Sequence, residues 1–317
     1  MTHNYYYLEW LGKRPNVSFQ SSPSESNFVA EVRIRGFPDT VDKIVVCGNI
    51  RGTPYESEEC PYKGKSYLLS HLQKSIRKMK PMLALKTAKH LLDLDPSTLL
   101  RRIPILMFED VVPHTELPVI VWLMMAVSKG FVLTQEIREW LLGIIYFLAT
   151  NENHEPYEKY NVVRDSILSD IHANAGNHDS TFLRSILIRI SYGGMKGDMG
   201  MLRYSVASWH QKLLRGDIPD ESKIRCIRER SLTTLKLDEW DLCANDFHCN
   251  HRLLPDLHAH FPMFAESYLK RLVWLYSSAP NKRSLVEKVC ISYDEYKDWL
   301  IIKKYTRWLQ RGMLRDI

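Results

Sequence analysis

Long hydrophobic runs are missing from this 317-residue chain: no uninterrupted apolar stretch approaches the roughly eighteen residues of a membrane-spanning helix. That excludes a helical membrane protein, and no membrane partner is expected. The N-terminus, MTHNYYYLEW, has neither the basic head nor the apolar segment of a secretory signal. Cysteine is sparse, with six residues in no short regular framework, so a disulfide-stapled scaffold is excluded. The expected setting is a reducing intracellular compartment, cytoplasm or nucleus. Catalytic signatures are missing too, since no Gly-x-Ser-x-Gly elbow and no His-Glu-x-x-His helix occurs. A phosphate loop needs Gly-x-x-x-x-Gly-Lys-Ser/Thr, and Gly64-Lys65-Ser66 supplies only its tail, with Glu59 where the first glycine belongs. The residues before it, Glu58-Glu59-Cys60-Pro61, make a polar turn rather than a hydrophobic strand. ATP binding is therefore not expected. There is no internal repeat and no low-complexity tract.

What is there is ordinary globular material, 45% hydrophobic and 25% charged, with a net charge of +6 and a pI near 8.9. That balance permits attraction to nucleic acid. Three regions stand out: a small β-rich element over 1–63, a helical unit over 64–160 and a helical region over 161–317. In the first, Phe28, Ala30, Val32 and Ile34 alternate with Glu31, Arg33 and Arg35, the period of a half-buried strand. Tyr5-Tyr6-Tyr7-Leu8 and Lys43-Ile44-Val45-Val46-Cys47 are two more strands, and the Ser/Pro/Asn-rich stretch 16–27 reads as a loop or hairpin connection. The fold class is mainly α, a helical bundle with a small N-terminal β element, α+β overall.

The helical unit has well-marked elements. Leu68, Leu69, Leu72, Ile76 and Met79 line one side of a first helix, and Pro81 suits the first turn of a second, with Leu85, Ala88, Leu91 and Leu92 as its stripe. Asp95-Pro96 starts a third, which Pro104 is expected to kink or end. A fourth follows Glu116 and stops near Gly130, and a fifth starts at Thr134.

The run SHLQKSIRKMKPMLALKTAKHLLDLDPSTLLRRIPILMFEDV, followed by MAVSKGF, is similar to the C-terminal collar region of RarA/MgsA-type AAA ATPases, clamp-loader relatives that act at stalled replication forks. The residues carrying the likeness are Lys74-Ser75-Ile76-Arg77, Ala84-Leu85, Leu100-Arg101-Arg102-Ile103 and Glu109-Asp110-Val111, in the family's order and spacing. The resemblance covers about residues 64–157. It implies a link to DNA replication or repair and self-association, because the collar holds subunits together in that family. Lys74, Arg77, Arg101, Arg102, Glu109 and Asp110 are the positions it implies for that contact. The family's ATPase modules lie upstream, where this chain carries only residues 1–63, so it reads as a collar without its motor.

Beyond the collar-like unit, Phe182, Ile186, Leu187 and Ile190 mark a further helix, as do Val162, Ile167, Leu168 and Ile171. The glycine-dense stretch 191–200 matches neither the dinucleotide nor the P-loop spacing and reads as a tight inter-helix turn. Cys243, His248, Cys249 and His258 or His260 could supply four zinc ligands. The competing reading is buried cysteine and hydrogen-bonded histidine around a helix-capping turn. Asp170, His172, His178 and Asp179 resemble part of a phosphohydrolase metal site, and equally suit a polar surface turn.

Basic residues form the last feature. Lys223, Arg225, Arg228 and Arg230 crowd one segment, and Lys303, Lys304, Arg307, Arg311 and Arg315 dominate a C-terminal helix. Lys297, Lys304, Arg311 and Arg315 fall along one side of that helix, with Trp299, Ile302, Trp308 and Leu309 supplying apolar surface elsewhere around it. Such a stripe binds phosphates without reading sequence, whereas a solvated helix face needs no ligand. The expectation is a non-catalytic, self-associating, nucleic-acid-binding accessory protein, DNA its partner and no cofactor required. Lys223, Arg225, Arg228, Lys304, Arg307, Arg311 and Arg315 are the contact residues. The alternatives are a structural protein with a collar-like bundle and no nucleic-acid contact, or a metal-dependent phosphohydrolase; a structural zinc is the alternative to no cofactor.

Overall fold

The alternation of apolar and polar residues at the N-terminus becomes a four-stranded sheet: β1 (Tyr5–Trp10), β2 (Asn16–Gln20), β3 (Phe28–Arg35) and β4 (Val41–Ile50), in the order β2-β1-β4-β3. Two antiparallel pairs, β1–β2 and β3–β4, are joined by the parallel pair β1–β4. Ten α-helices follow among the described residues. They are α1 (Lys65–Arg77), α2 (Pro81–Leu94), α3 (Pro96–Asp110), α4 (Leu117–Val127), α5 (Gln135–Thr150), α6 (His178–Ser191), α7 (Lys196–Leu214), α8 (Leu253–His260), α9 (Glu266–Val273) and α10 (Tyr293–Leu314). The fold is thus mainly α with a small N-terminal β element. The computed structural model describes residues 4–11, 15–35, 41–55, 64–155, 167–168, 171, 177–236, 239–240, 253–273, 281–283 and 292–314.

Contacts gather the chain into two compact units. One is built from Met1–Glu56, Pro96–Arg138 and Glu155–Ile224, the other from Ser57–Asp95, Glu139–His154 and Arg225–Ile317. Division by composition gives three consecutive regions; division by contact draws each unit from all three of them.

In the first unit the sheet packs on α4, whose sequence LPVIVWLMMAV is apolar all round and is buried between the strands and its helical neighbours α3 and α6. Trp122 anchors that contact. Its indole N–H donates to the carbonyls of Tyr6 (2.9 Å) and Cys47 (3.1 Å), on adjacent strands. Gly48 permits the approach, because a Cβ there would lie 2.6 Å from the Leu8 carbonyl and 3.0 Å from the Trp122 ring. Buried Tyr6 donates its hydroxyl to the Pro118 carbonyl in the first turn of α4 and sits 2.9 Å from Ser185 Oγ of α6. Burial holds that phenol far above its ordinary pKa.

Two expectations are corrected in this unit. The first residues of the stretch 16–27 form β2 rather than a loop, because Phe19 is buried and its ring stacks on Tyr6 with centroids 4.2 Å apart. Cross-strand packing outweighs the turn-forming composition around it. Pro104 does not end α3, which runs on to Asp110. Leu100, Ile103, Ile105, Leu106 and Met107 are all fully buried around it, and their packing against α4 and α7 offsets the lost backbone hydrogen bond.

Several buried polar groups of the unit are satisfied by partners within it. Arg189 is 4% exposed; its Nε donates to the Arg101 carbonyl (2.8 Å) and its Nη1 to the Gly193 carbonyl (2.9 Å). Arg101 Nη2 donates to the Tyr192 carbonyl at 2.8 Å, so two guanidinium groups serve the carbonyls at the C-terminal end of α6. Burial, together with the neighbouring Arg101 charge, pulls Arg189 down to about 10. His114 accepts from the Glu116 amide at Nδ1 (3.1 Å) and donates from Nε2 to the Ser222 carbonyl (2.8 Å), the pattern of a neutral imidazole. Burial holds its pKa below the ordinary value.

In the second unit α1 and α2 pair. Arg283 caps two helix ends at once: Nη1 donates to the Ile76 carbonyl (2.9 Å) and Nη2 to the Leu148 carbonyl (2.6 Å), near the ends of α1 and α5. Helices α8, α9 and α10 share a separate core in this unit made of Leu253, Leu254, Leu257, Phe261, Leu269, Leu272, Val273, Trp299 and Ile302.

Candidate nucleic-acid interface

Helix α10 begins at a capping box. Ser292 Oγ accepts from the Glu295 amide (3.1 Å), and Glu295 Oε2 accepts from the Ser292 amide (3.2 Å). Asp294 and Glu295 occupy the first turn, where carboxylates favour the positive end of the helix dipole. The next carboxylates toward α9 are engaged. Glu295 pairs with Arg271 at 3.1 Å, and Asp298 accepts from the Tyr268 hydroxyl at 2.6 Å. That hydrogen bond pushes the Tyr268 phenol up to about 12. From Trp299 to Arg315 the sequence holds Lys303, Lys304, Arg307, Arg311 and Arg315 and no acid at all. The charge of the helix is therefore sorted along its length, acidic at the start and basic afterwards.

Packing decides which side faces out. Trp299, Ile302 and Thr306 are buried against α8 and α9, and the Thr306 hydroxyl donates to the Ile302 carbonyl at 2.9 Å. The opposite side carries Lys297, Ile301, Lys304 and Trp308, spaced four, three and four residues apart, which keeps them on one line of a helix. Ile301 is 58% and Trp308 65% exposed, unusual values for such large apolar groups. Lys297 Nζ sits 4.3 Å from the centroid of the Tyr293 ring. Lys304 is exposed and makes no ion pair among the described residues.

Beside Trp308 lies a stack of rings. The His260 imidazole, at the end of α8, lies on the Tyr305 ring with centroids 3.6 Å apart and planes within 7°. Tyr305 in turn stacks with Trp308, at 5.4 Å and 27°. His260 and Trp308 are both exposed, so the rings form an open aromatic surface beside the lysines rather than a closed core.

Trp308 stands corrected: it belongs to the basic side of the helix, not to apolar surface elsewhere around it. At about 100° per residue it lies roughly 40° from Lys304 and about 180° from Trp299. Of the other expected contact residues on α10, the side chains of Arg307 and Arg311 and the whole of Arg315 lie outside the described residues. Lys223, Arg225, Arg228 and Arg230 lie on a non-helical stretch after α7, interrupted only by the single turn Glu229–Ser231. All four side chains are exposed and make no ion pair among the described residues. Lys223 falls in the first unit, Arg225 and Arg228 in the second.

The positions carrying the collar resemblance are distributed differently. Lys74 and Arg77 belong to the second unit, and Arg101, Arg102, Glu109 and Asp110 to the first. Lys74 is 0% and Asp110 1% exposed, leaving no side-chain surface for another copy. Arg101 serves α6 as described, and Arg102 pairs with Asp198 at 3.2 Å. Lys65 of the incomplete phosphate loop pairs with Asp95 at 2.9 Å, at the start of α1. Cys243, His248 and Cys249 lie outside the described residues. His258 and His260 are exposed on α8 two residues apart, a spacing that points their rings away from one another. Asp170 and His172 also lie outside the described residues, while His178 and Asp179 form the exposed first turn of α6, capped by Asn177. Among the described residues no group of three or more His, Cys, Asp or Glu side chains is placed to share a metal ion.

Reading the sequence missed the aromatic half of this surface. A 3.6-residue wheel drawn on α10 carries the signal, since Ile301 and Trp308 fall beside Lys304. The His260–Tyr305 contact has no local signal, because the partners are 45 positions apart on different helices. No protein-family model, no curated protein and no solved structure matches the chain.

Proposed function

We propose that this protein is a non-catalytic accessory factor that binds nucleic acid, without reading its sequence, through the exposed side of α10. One observation carries the reading: Lys297 and Lys304 stand on a single exposed line with Trp308, and from Trp299 to Arg315 no carboxylate competes for Lys304. Cations so placed displace condensed counterions from phosphates, which supplies affinity independent of base order. Arg225 and Arg228, in the same unit as α10, are further exposed cations for such a ligand. The likeness of residues 70–111 to an oligomerising collar adds two elements, a place in DNA replication or repair and self-association. Copies held together would multiply weak phosphate contacts into useful avidity. Because Lys74 and Asp110 are buried, association would have to use other surface of that region.

Salt titration of binding to a labelled DNA strand, beside light scattering of the protein alone, tests the reading. Binding should weaken linearly in log–log form with salt, and Lys304→Gln should lower the slope by about one. Scattering should report a particle larger than one 37.1 kDa chain. No binding even at low salt would sink the nucleic-acid reading. The basic side would then be a solvated face or a dock for an acidic protein.

A further inference from the structure

Phosphate attraction leaves the rings unexplained. Lysines alone would suffice for a duplex, yet the exposed line of α10 alternates cation with large apolar group: Lys297, Ile301, Lys304, Trp308. Leaving Trp308 65% exposed is costly in water, and its neighbours hold it in place without covering it. The Tyr305 ring is pinned by the His260 imidazole at 3.6 Å and by the edge of Phe261 at 5.6 Å. That leaves Trp308, at 5.4 Å from Tyr305, as the outer ring of a preformed stack.

Resting on the reading above, we infer that His260, Tyr305 and Trp308 form a stacking platform for an unpaired nucleobase, so that the ligand is single-stranded rather than duplex nucleic acid. A base is flat, apolar on both faces and attached to a phosphate chain. The surface offers an exposed indole with lysines on the same line of the helix. In a duplex both faces of each base are already covered by its neighbours, so the platform has nothing to take up. In a single strand a base swings onto Trp308 while Lys304 and Lys297 remain available to the flanking phosphates. Every base has such a face, so stacking adds affinity without sequence preference. Pre-stacking on Tyr305 lowers the ordering cost of the indole on binding.

The test compares an oligothymidylate, a duplex of the same length and an abasic strand of the same length, by fluorescence anisotropy at one salt concentration. The unchanged protein should bind the oligothymidylate more tightly than either of the others. Trp308→Ala should weaken oligothymidylate binding about tenfold, the order of one lost base stack, and leave the duplex, the abasic strand and the salt slope unchanged. Trp308→Phe, which keeps a ring, should recover most of the loss. Trp308 contributes little to the core, so circular dichroism of both variants should match the parent. Equal affinity for all three ligands with Trp308→Ala silent overturns the platform and leaves the phosphate-binding reading standing. A loss that is equal on the abasic strand also overturns it, since no base is then involved. Failure of all three to bind at low salt removes the proposed function and this inference together.

Discussion

Two tryptophans, one in each unit, show how differently the fold can use the same side chain. Trp122 is fully buried in the first unit, and its N–H is shared between carbonyls of β1 and β4. Trp308 is 65% exposed in the second, stacked on Tyr305, which in turn stacks on His260. Cations differ in the same way, though not by unit, since Arg283 of the second unit also turns inward. Arg189 and Arg101 are turned inward onto the carbonyls at the end of α6, whereas Lys304 faces water. A buried guanidinium must be fully hydrogen-bonded to be tolerated, so it is committed to the fold. An exposed ammonium carries no such obligation and remains available to a ligand. Residue type therefore does not separate structural from functional positions here; burial does.

The comparison is broken most strongly at Trp122. Trp122→Ala removes a large buried ring and both hydrogen bonds, and should destabilise the protein by about 3–5 kcal/mol in chemical denaturation. A cost below about 1 kcal/mol would mean that the contact between α4 and the sheet does not depend on it.

A smaller effect is expected at His114, and it depends on pH. Burial keeps its folded pKa below the ordinary 6.5, so the unfolded chain binds the proton first as pH falls. Stability is therefore present in full above the unfolded value and is lost as pH drops toward the folded one. His114→Asn should be less stable than the parent near neutrality, having lost about 1 kcal/mol of hydrogen bonding. The gap should then narrow as pH falls from about 7 to about 5, in denaturation curves run side by side. A gap that stays constant would show that this imidazole does not titrate differently in the two states.

The smallest effect sharpens the contrast. Trp308→Ala should change stability by no more than about 0.5 kcal/mol, the range of surface substitutions, although it removes the same ring as Trp122→Ala. A loss of several kcal/mol would place Trp308 in the core of its unit after all.

Much of the fold was legible because its signals are local. Pro81, Pro96 and Thr134 stand at the starts of α2, α3 and α5, where cap and first-turn preferences act within a few residues. The alternation of Tyr6, Leu8 and Trp10, or of Val32 and Ile34, announces a strand before any partner is known. Where local and long-range terms disagreed, the long-range term won. Phe19 joins the sheet because Tyr6 is there to stack on, and α3 passes Pro104 because the helix is buried on both sides of it. The basic half of the candidate interface was legible in the same local way, as a run of Lys and Arg without acids. Its aromatic half was not.

The sequence by itself determined the mainly helical class, the starts of α2 to α5, the N-terminal strands apart from β2, and the segregation of charge along α10. Each of these follows from the preferences of a few neighbouring residues. It did not determine the start of α7, whose first turn occupies part of the glycine-dense stretch read as a turn. Only the tertiary structure decided which cations turn inward, as Arg101 and Arg189 do, and which stay in water, as Lys304 does. It alone brought His260 onto Tyr305 and left Trp308 exposed. The physical reason is that burial is a property of the whole packed chain. A helix presents every side of its wheel equally until another element covers one of them.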